Sequence, residues 1–474
     1  MDKSDIVWLS LTQTEAAIRR KELSPVEVVE ALLERIERLN PRLNAYCTVV
    51  TDMARHQARE AEAALTRGDT LGPLHGIPIA VKDVIFTQGI RTTSGSRLFQ
   101  HFVPQEDAIV IERLRAAGAI VLGKTNTSEF GWMSDRGTRL FGATHNPWNE
   151  DYNAGGASEG DGAAVAAGLA PLAIGGDFGG SIRIPASMCG VFGFKPSFGR
   201  VPQYPAFPIW ETLSHTGPLT RTVADAALVM EVIAGRDDRD RFTLPDGGLK
   251  YRDVLEGDLK GLRIAFSTDM GYAVVDPEVA RITESAARVF STLGATVEAA
   301  HPEVRSPEKI YSMLIAVMLA SILQDKLVTP SSDLIGPKLA HFLEQYRDKT
   351  AYEYGKACRA QLEYWEGIWP FFAEHDLLVT PTLAVAPFKL GQFGPREVAG
   401  KKVTMLDWMA FTYPFNITGQ PAASLPCGFS REGLPVGLQI VGRRFDDRTV
   451  LRAAAAFERA RPWQERRPEA LDAA

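Results

Sequence analysis

The chain has 474 residues, 45% of them hydrophobic and 23% charged, with 52 basic against 58 acidic side chains for a formal charge of −6. This is an ordinary globular composition, able to bury a large core, and so small a charge gives no electrostatic reason to expect a nucleic acid or an anionic membrane as partner. Cys47, Cys189, Cys358 and Cys427 are scattered, with no CxxC pair and no Cys/His cluster, so neither a disulfide framework nor a metal site is expected.

The opening stretch MDKSDIVWLSLTQTEAAIRR lacks a basic segment followed by an apolar run. The longest apolar candidate, MLIAVMLASIL at 313–323, is too short for a bilayer, so a cytoplasmic location is expected. Ser24, Pro25 and Glu27 read as an N-cap, a first-turn proline and a capping-box acid, and Val28, Leu32, Leu33, Ile36 and Leu39 follow at helical spacing. Extended runs bounded by breakers fall at 77–81, 119–123, 169–175, 262–267, 376–382, 423–428 and 436–442. Helical patterns lie between them at 106–117, 159–168, 222–234, 277–293 and 447–460. Apolar strands covered by helices on both faces make an α/β protein. With no repeat and no low-complexity linker, one domain over 1–474 is expected. Residues 301–375 are glycine-poor, helical in pattern and rich in aromatics such as Tyr311, Phe342 and Trp365, which predicts a helical cap on the core.

Between 155 and 200 there are 12 glycines in 46 residues, where the overall frequency of 41 in 474 gives about four. Glycine at this density marks backbone that turns sharply or approaches something closely. Neither GxxxxGK[ST] nor GxGxxG is present, which argues against a nucleotide. Instead, an apolar strand runs into GGDFGG and ends on Ser181. The amides of Phe178, Gly179, Gly180 and Ser181 could therefore converge as a nest of donors for a tetrahedral oxyanion. No histidine stands in a recognisable triad pattern with an acid. A second candidate base is Lys82, closing the strand HGIPIAVKD, although a lysine there is also an ordinary strand-end charge.

Together these pieces resemble the amidase signature family. GIPIAVKD around Lys82, the segment 155–160 around Ser158, and GDFGGSIRIPASMCGVFGFKPSFGRVP at 176–202 carry the resemblance. So do KTNTSEF at 124–130, FGATHNPWN at 141–149, GPLTRTVADAA at 217–227 and GLQIVGRRFDD at 437–447. It covers roughly residues 10–460, with a core signature at about 75–205. It implies a three-layer α/β/α sandwich with a large mixed central sheet, and hydrolysis of a small-molecule carboxamide without cofactor or metal. Carried onto this chain, Lys82 is the base and Ser181 the nucleophile that forms an acyl-enzyme. Phe178, Gly179, Gly180 and Ser181 supply the oxyanion donors, and Asp177 with Arg183 forms a supporting ion pair.

The chain departs from the family pattern GGSSGG at its first serine, the hydroxyl that relays a proton between lysine and nucleophile. Counting 24 residues back from Ser181 gives Ala157. Glu159 also replaces a small residue, and Gly176 stands where threonine is common. Ser158 matches the second serine, which supports the lysine. The favoured reading is an engineered serine-to-alanine change in an otherwise normal amidase, which impairs turnover; a natural variant in which Ser158 or a water bridges, and a catalytically silent family member, are the alternatives. Trp132, Met133, Tyr204, Phe207 and Trp210 are candidates for an apolar substrate wall, each of which could equally be a packing residue. As a set they point to aryl or bulky acyl amides, as in an aryl acylamidase. Ester or carbamate cleavage, as in a urethanase, uses the same acyl chemistry. The resemblance also admits the amidotransferase subunit of a tRNA transamidation complex. A homodimer is an assembly the sequence leaves open.

Overall fold

The computed structural model describes residues 2–133, 137–207, 212–245, 248–323 and 334–471. Eleven strands form one sheet: β1 (Tyr46–Val49), β2 (Pro78–Lys82), β3 (Ile120–Thr125), β4 (Leu172–Asp177), β5 (Phe192–Lys195), β6 (His215–Thr220), β7 (Arg263–Phe266), β8 (Thr296–Ala299), β9 (Leu377–Pro381), β10 (Ala422–Phe429) and β11 (Pro435–Gly442). Their order across the sheet is β1-β3-β2-β4-β6-β5-β10-β11-β9-β7-β8. β2 runs parallel to β3 and to β4, β9 parallel to β7 and β7 to β8, and the remaining pairs are antiparallel. The sheet is therefore mixed, and helices lie against its strands.

The predicted helix at 24–39 forms over Pro25–Leu43, and its capping box is present: Ser24 Oγ accepts from Val26 N at 3.0 Å and Glu27 accepts from Ser24 N at 2.8 Å. All seven predicted strands have a counterpart. Four strands, β1, β5, β6 and β8, lie in segments not read as extended. The catalytic candidates depend on two register relations. Ile79 and Val81 of β2 pair with Leu172 and Ile174 of β4, so Lys82, the last residue of β2, lies beside the strand that runs into Gly176 and Asp177. Beyond Asp177 the chain turns through Phe178–Ser181 into a short helix, Arg183–Cys189, every residue of which is buried.

The helix Glu159–Ala166 is also wholly buried. Its glycines and alanines let it press into the core: a Cβ on Gly162 would stand 2.8 Å from Pro185 Cβ. Segment 301–375 contributes the helices Glu308–Leu323, Pro337–Glu344 and Ala351–Glu374, which pack with Phe130, Trp132, Phe178 and the 406–417 segment as a second apolar cluster. Among the described residues no helix is long and apolar enough to cross a membrane.

Candidate active site

The nucleophile loop is held from behind by a buried charge network. Arg183 Nε donates to Asp177 Oδ2 and Nη2 to Oδ1, both at 3.0 Å, and both side chains are fully buried. The remaining guanidinium protons go to Thr412 O at 2.9 Å, Gln439 Oε1 at 2.8 Å and Asn416 Oδ1 at 2.8 Å. Burial pushes the Asp177 carboxyl up, but the charge and hydrogen bonds of Arg183 outweigh it and hold the group well below the usual carboxylate range. Asp177 also accepts from Gly180 N at 2.8 Å and Ile182 N at 3.3 Å, which closes the turn. The Gly180 amide is thus committed to the loop and does not join the oxyanion donors expected of it. Gly180 has φ +128°, and a Cβ there would collide with Thr412 Oγ1. Among the described residues, the Gly179 and Ser181 amides have no acceptor.

Lys82 is fully buried and donates to Gly176 O at 3.3 Å, with its Nζ 6.0 Å from the centroid of the Phe178 ring. Burial lowers its pKa below the ordinary lysine value, against the pull of Asp161, Glu159 and Asp177. Ala157 follows a cis Gly156–Ala157 peptide, and its carbonyl accepts from Thr127 Oγ1 at 2.7 Å. It presents a methyl to the cleft that also holds Ser181. Ser158 is buried, within electrostatic reach of Asp161 but outside hydrogen-bond geometry.

Two acids surround this point, and sequence reasoning noted Glu159 only as a departure and passed over Asp161. Both sit in the first turn of the helix Glu159–Ala166, whose N-terminal amides favour negative charge. Burial nevertheless pushes the Glu159 carboxyl up and Asp161 up to about 7. Thr125 Oγ1 donates to Asp161 Oδ1. The signal in the sequence was a pair of carboxylates in an otherwise small and apolar stretch, EGDGAAVAAG.

The cleft over Ser181 is lined by Trp132, Met133, Phe178, Tyr311, Phe342 and Trp408, among others. The Trp132 and Phe342 ring centroids are 5.2 Å apart. Tyr204 and Phe207 do not line this cleft. The Tyr204 carbonyl accepts from Ile109 N at 2.8 Å, which ties the segment down on the far side of Phe178. There Phe207 lines a neighbouring cavity with Phe130 and Gly176, while Tyr204 is exposed. Trp210 lies outside the described residues. Sequence reasoning also missed the 405–416 segment, which supplies Trp408 and Met409 to the cleft and Thr412 and Asn416 to the loop. Among the described residues, no three His, Cys, Asp or Glu side chains gather as a metal site.

An eleven-stranded mixed sheet that brings a buried lysine beside a serine-bearing glycine loop is the frame of an amide-hydrolysing enzyme. The sequence profile of the Amidase family matches residues 27–451. An acylamidase of Rhodococcus erythropolis is 38% identical over 471 residues, covering 99% of this chain and 98% of that protein. The A-type subunit of the glutamyl-tRNA(Gln) amidotransferase of Moorella thermoacetica is 39% identical over 98% of this chain and 99% of its own length. The crystal structure of a bacterial aryl acylamidase superposes with a TM-score of 0.91 at 32% identity, covering 98% of each chain. The chain belongs to the amidase signature family and is an amide hydrolase by class.

Proposed function

We propose that this enzyme cleaves aryl or bulky hydrophobic carboxamides through an acyl-enzyme on Ser181, with Lys82 as base and the Gly179 and Ser181 amides receiving the oxyanion. The observation that carries the reading is the burial of Lys82 against Gly176 O, on the strand that delivers Ser181 to an aromatic cleft. A lysine with the ordinary pKa of about 10.4 is neutral so rarely at pH 7 that the cost is about 4.6 kcal/mol. Burial reduces that cost, which is what a lysine base needs. The similarity to an acylamidase and an aryl acylamidase supports the substrate class. The alanine at 157 leaves the chain without the relay hydroxyl implied by the resemblance, so turnover is impaired relative to Ala157→Ser.

The test is labelling of Ser181 by phenylmethanesulfonyl fluoride, together with hydrolysis of a panel of anilides, aliphatic amides, esters and carbamates, for the chain with Ala157 and for Ala157→Ser. Labelling of Ser181 with faster cleavage of anilides is expected. If neither protein is labelled and neither cleaves any substrate, the mechanism is wrong. A second reading, as one chain of a tRNA-dependent amidotransferase, is favoured by the 39% identity to such a chain. It predicts an activity on charged tRNA that requires partner chains, whereas the preferred reading predicts anilide cleavage by the purified protein alone, as a homodimer or monomer on gel filtration.

A further inference from the structure

The surroundings of Ala157 hold buried polar atoms that the mechanism above does not use. Glu159 Oε2, Ser128 Oγ and Asp161 Oδ2 are buried and have no hydrogen-bond partner among the described residues. A Cβ on Gly156 would lie 3.3 Å from Glu159 Oε2 and 3.9 Å from Ser128 Oγ, so both oxygens crowd the peptide that precedes Ala157. Gly156 and Ala157 in turn line the cleft with Ser181. Oε2 is the Glu159 oxygen turned to the Gly156–Ala157 corner. A buried carboxylate oxygen without a donor is costly, and the corner offers the polar partners a water needs.

We propose that Glu159 is the proton-relay residue of this enzyme, acting through a water held by Glu159 Oε2 and Ser128 Oγ beside the Ala157 methyl, in place of a hydroxyl at 157. The inference rests on the acyl-enzyme reading. In acylation the Ser181 O–H bond breaks and its oxygen bonds the acyl carbon, while the carbonyl π pair moves onto oxygen. The proton passes to the water, whose own proton goes to Glu159 Oε2, and the Glu159 carboxyl in turn gives up a proton to the uncharged amine of Lys82, which remains the base. As the C–N bond breaks, the nitrogen keeps the bonding pair and takes a proton back by the same route. Hydrolysis of the ester repeats the cycle with water as nucleophile. Lys82 and Glu159 are both buried and interact electrostatically, so moving a proton from one to the other leaves the charge of the cluster unchanged. The other titratable groups near Glu159 are Asp161 on its own helix and Cys189 on the helix after Ser181.

The experiment is a double-mutant cycle between Glu159→Gln and Ala157→Ser, read as the rate of Ser181 sulfonylation by phenylmethanesulfonyl fluoride across pH 6–10. Glu159→Gln is expected to slow labelling by roughly 100-fold when alanine stands at 157, the lower range for acid–base catalysis, and by less than about 3-fold when serine stands there. A merely structural role for Glu159 would slow labelling equally whichever residue stands at 157. Glu159→Gly, the kind of small residue implied by the resemblance, is read in the same cycle should the glutamine variant fold poorly. Equal slowing in both backgrounds, or none, overturns the relay. Failure of Ser181 to label both in the chain with Ala157 and in Ala157→Ser overturns the acyl-enzyme reading itself.

Discussion

Asp177 and Arg183 stand directly behind the nucleophile and have no contact with water, so each charge depends on the other. Removing one partner of a buried pair leaves an uncompensated charge, which typically costs about 3–5 kcal/mol. Asp177→Ala is therefore expected to lower thermal stability sharply as well as activity, measured by calorimetry. The pair also sets an acid limit. The folded-state pKa of Asp177 is depressed below its unfolded value, so its contribution is complete above roughly pH 4 and is lost as pH falls through the folded value. Lys82 shifts in the opposite functional sense: burial lowers its pKa, so the neutral amine gains population at lower pH than a free lysine allows. The rate of Ser181 labelling should then rise with an inflection below about 10.4, and an inflection at the free-lysine value would exclude Lys82 as the base.

At the scale of elements, the loop between β4 and the helix Arg183–Cys189 is fixed by contacts from a segment far away in sequence. Thr412 Oγ1 donates to Gly179 O at 2.7 Å, and Asn416 Nδ2 donates to Asp177 O at 2.9 Å. A Cβ on Gly179 would collide with the Tyr311 hydroxyl. Gly179→Ala should thus displace either the tyrosine or the loop, reducing Ser181 labelling by at least about 100-fold if an oxyanion amide moves; Gly179→Ala combined with Tyr311→Ala should recover part of it. The sequence revealed the glycine density and the serine at its end, because apolar strands and glycine loops are local patterns. It concealed the clamp from 409–416, because hydrogen bonds between segments more than 200 residues apart leave no periodicity. β6 was hidden for a related reason. Its HTGPLT carries glycine and proline, which read as breakers, yet all six residues pair with β4 and are buried. Asp161 was hidden by its neighbours: in a run of glycine and alanine it resembles a first-turn helix acid, and only the depth of the helix turns it into a buried partner of Lys82.

Across the whole molecule, the aromatic wall over the 153–157 and 178–184 segments is assembled from three distant parts of the chain: Trp132 and Met133 after β3, Tyr311 and Phe342 from the 308–344 helices, and the Met405–Met409 turn. The walls of the cleft are mainly apolar and aromatic, with Asn153 and Ser312 as polar exceptions, so binding should come chiefly from surface removed from water. Trp132 packs on Phe342 and on Phe393, at 5.2 and 5.7 Å between centroids, so it both faces the cleft and ties the helical segment to the β3 side. Phe342→Ala, which removes one wall without touching the nucleophile loop, should raise KM for an anilide by roughly 10- to 100-fold, the range expected for losing about 1.5–3 kcal/mol of apolar contact. It should leave kcat for a small aliphatic amide nearly unchanged, because that substrate reaches Ser181 without filling the wall. Steady-state kinetics on the two substrates in the Ala157→Ser background separate these effects. An equal loss on both would mean that Phe342 holds the active-site geometry together, and would remove the aromatic wall as the source of preference for bulky amides.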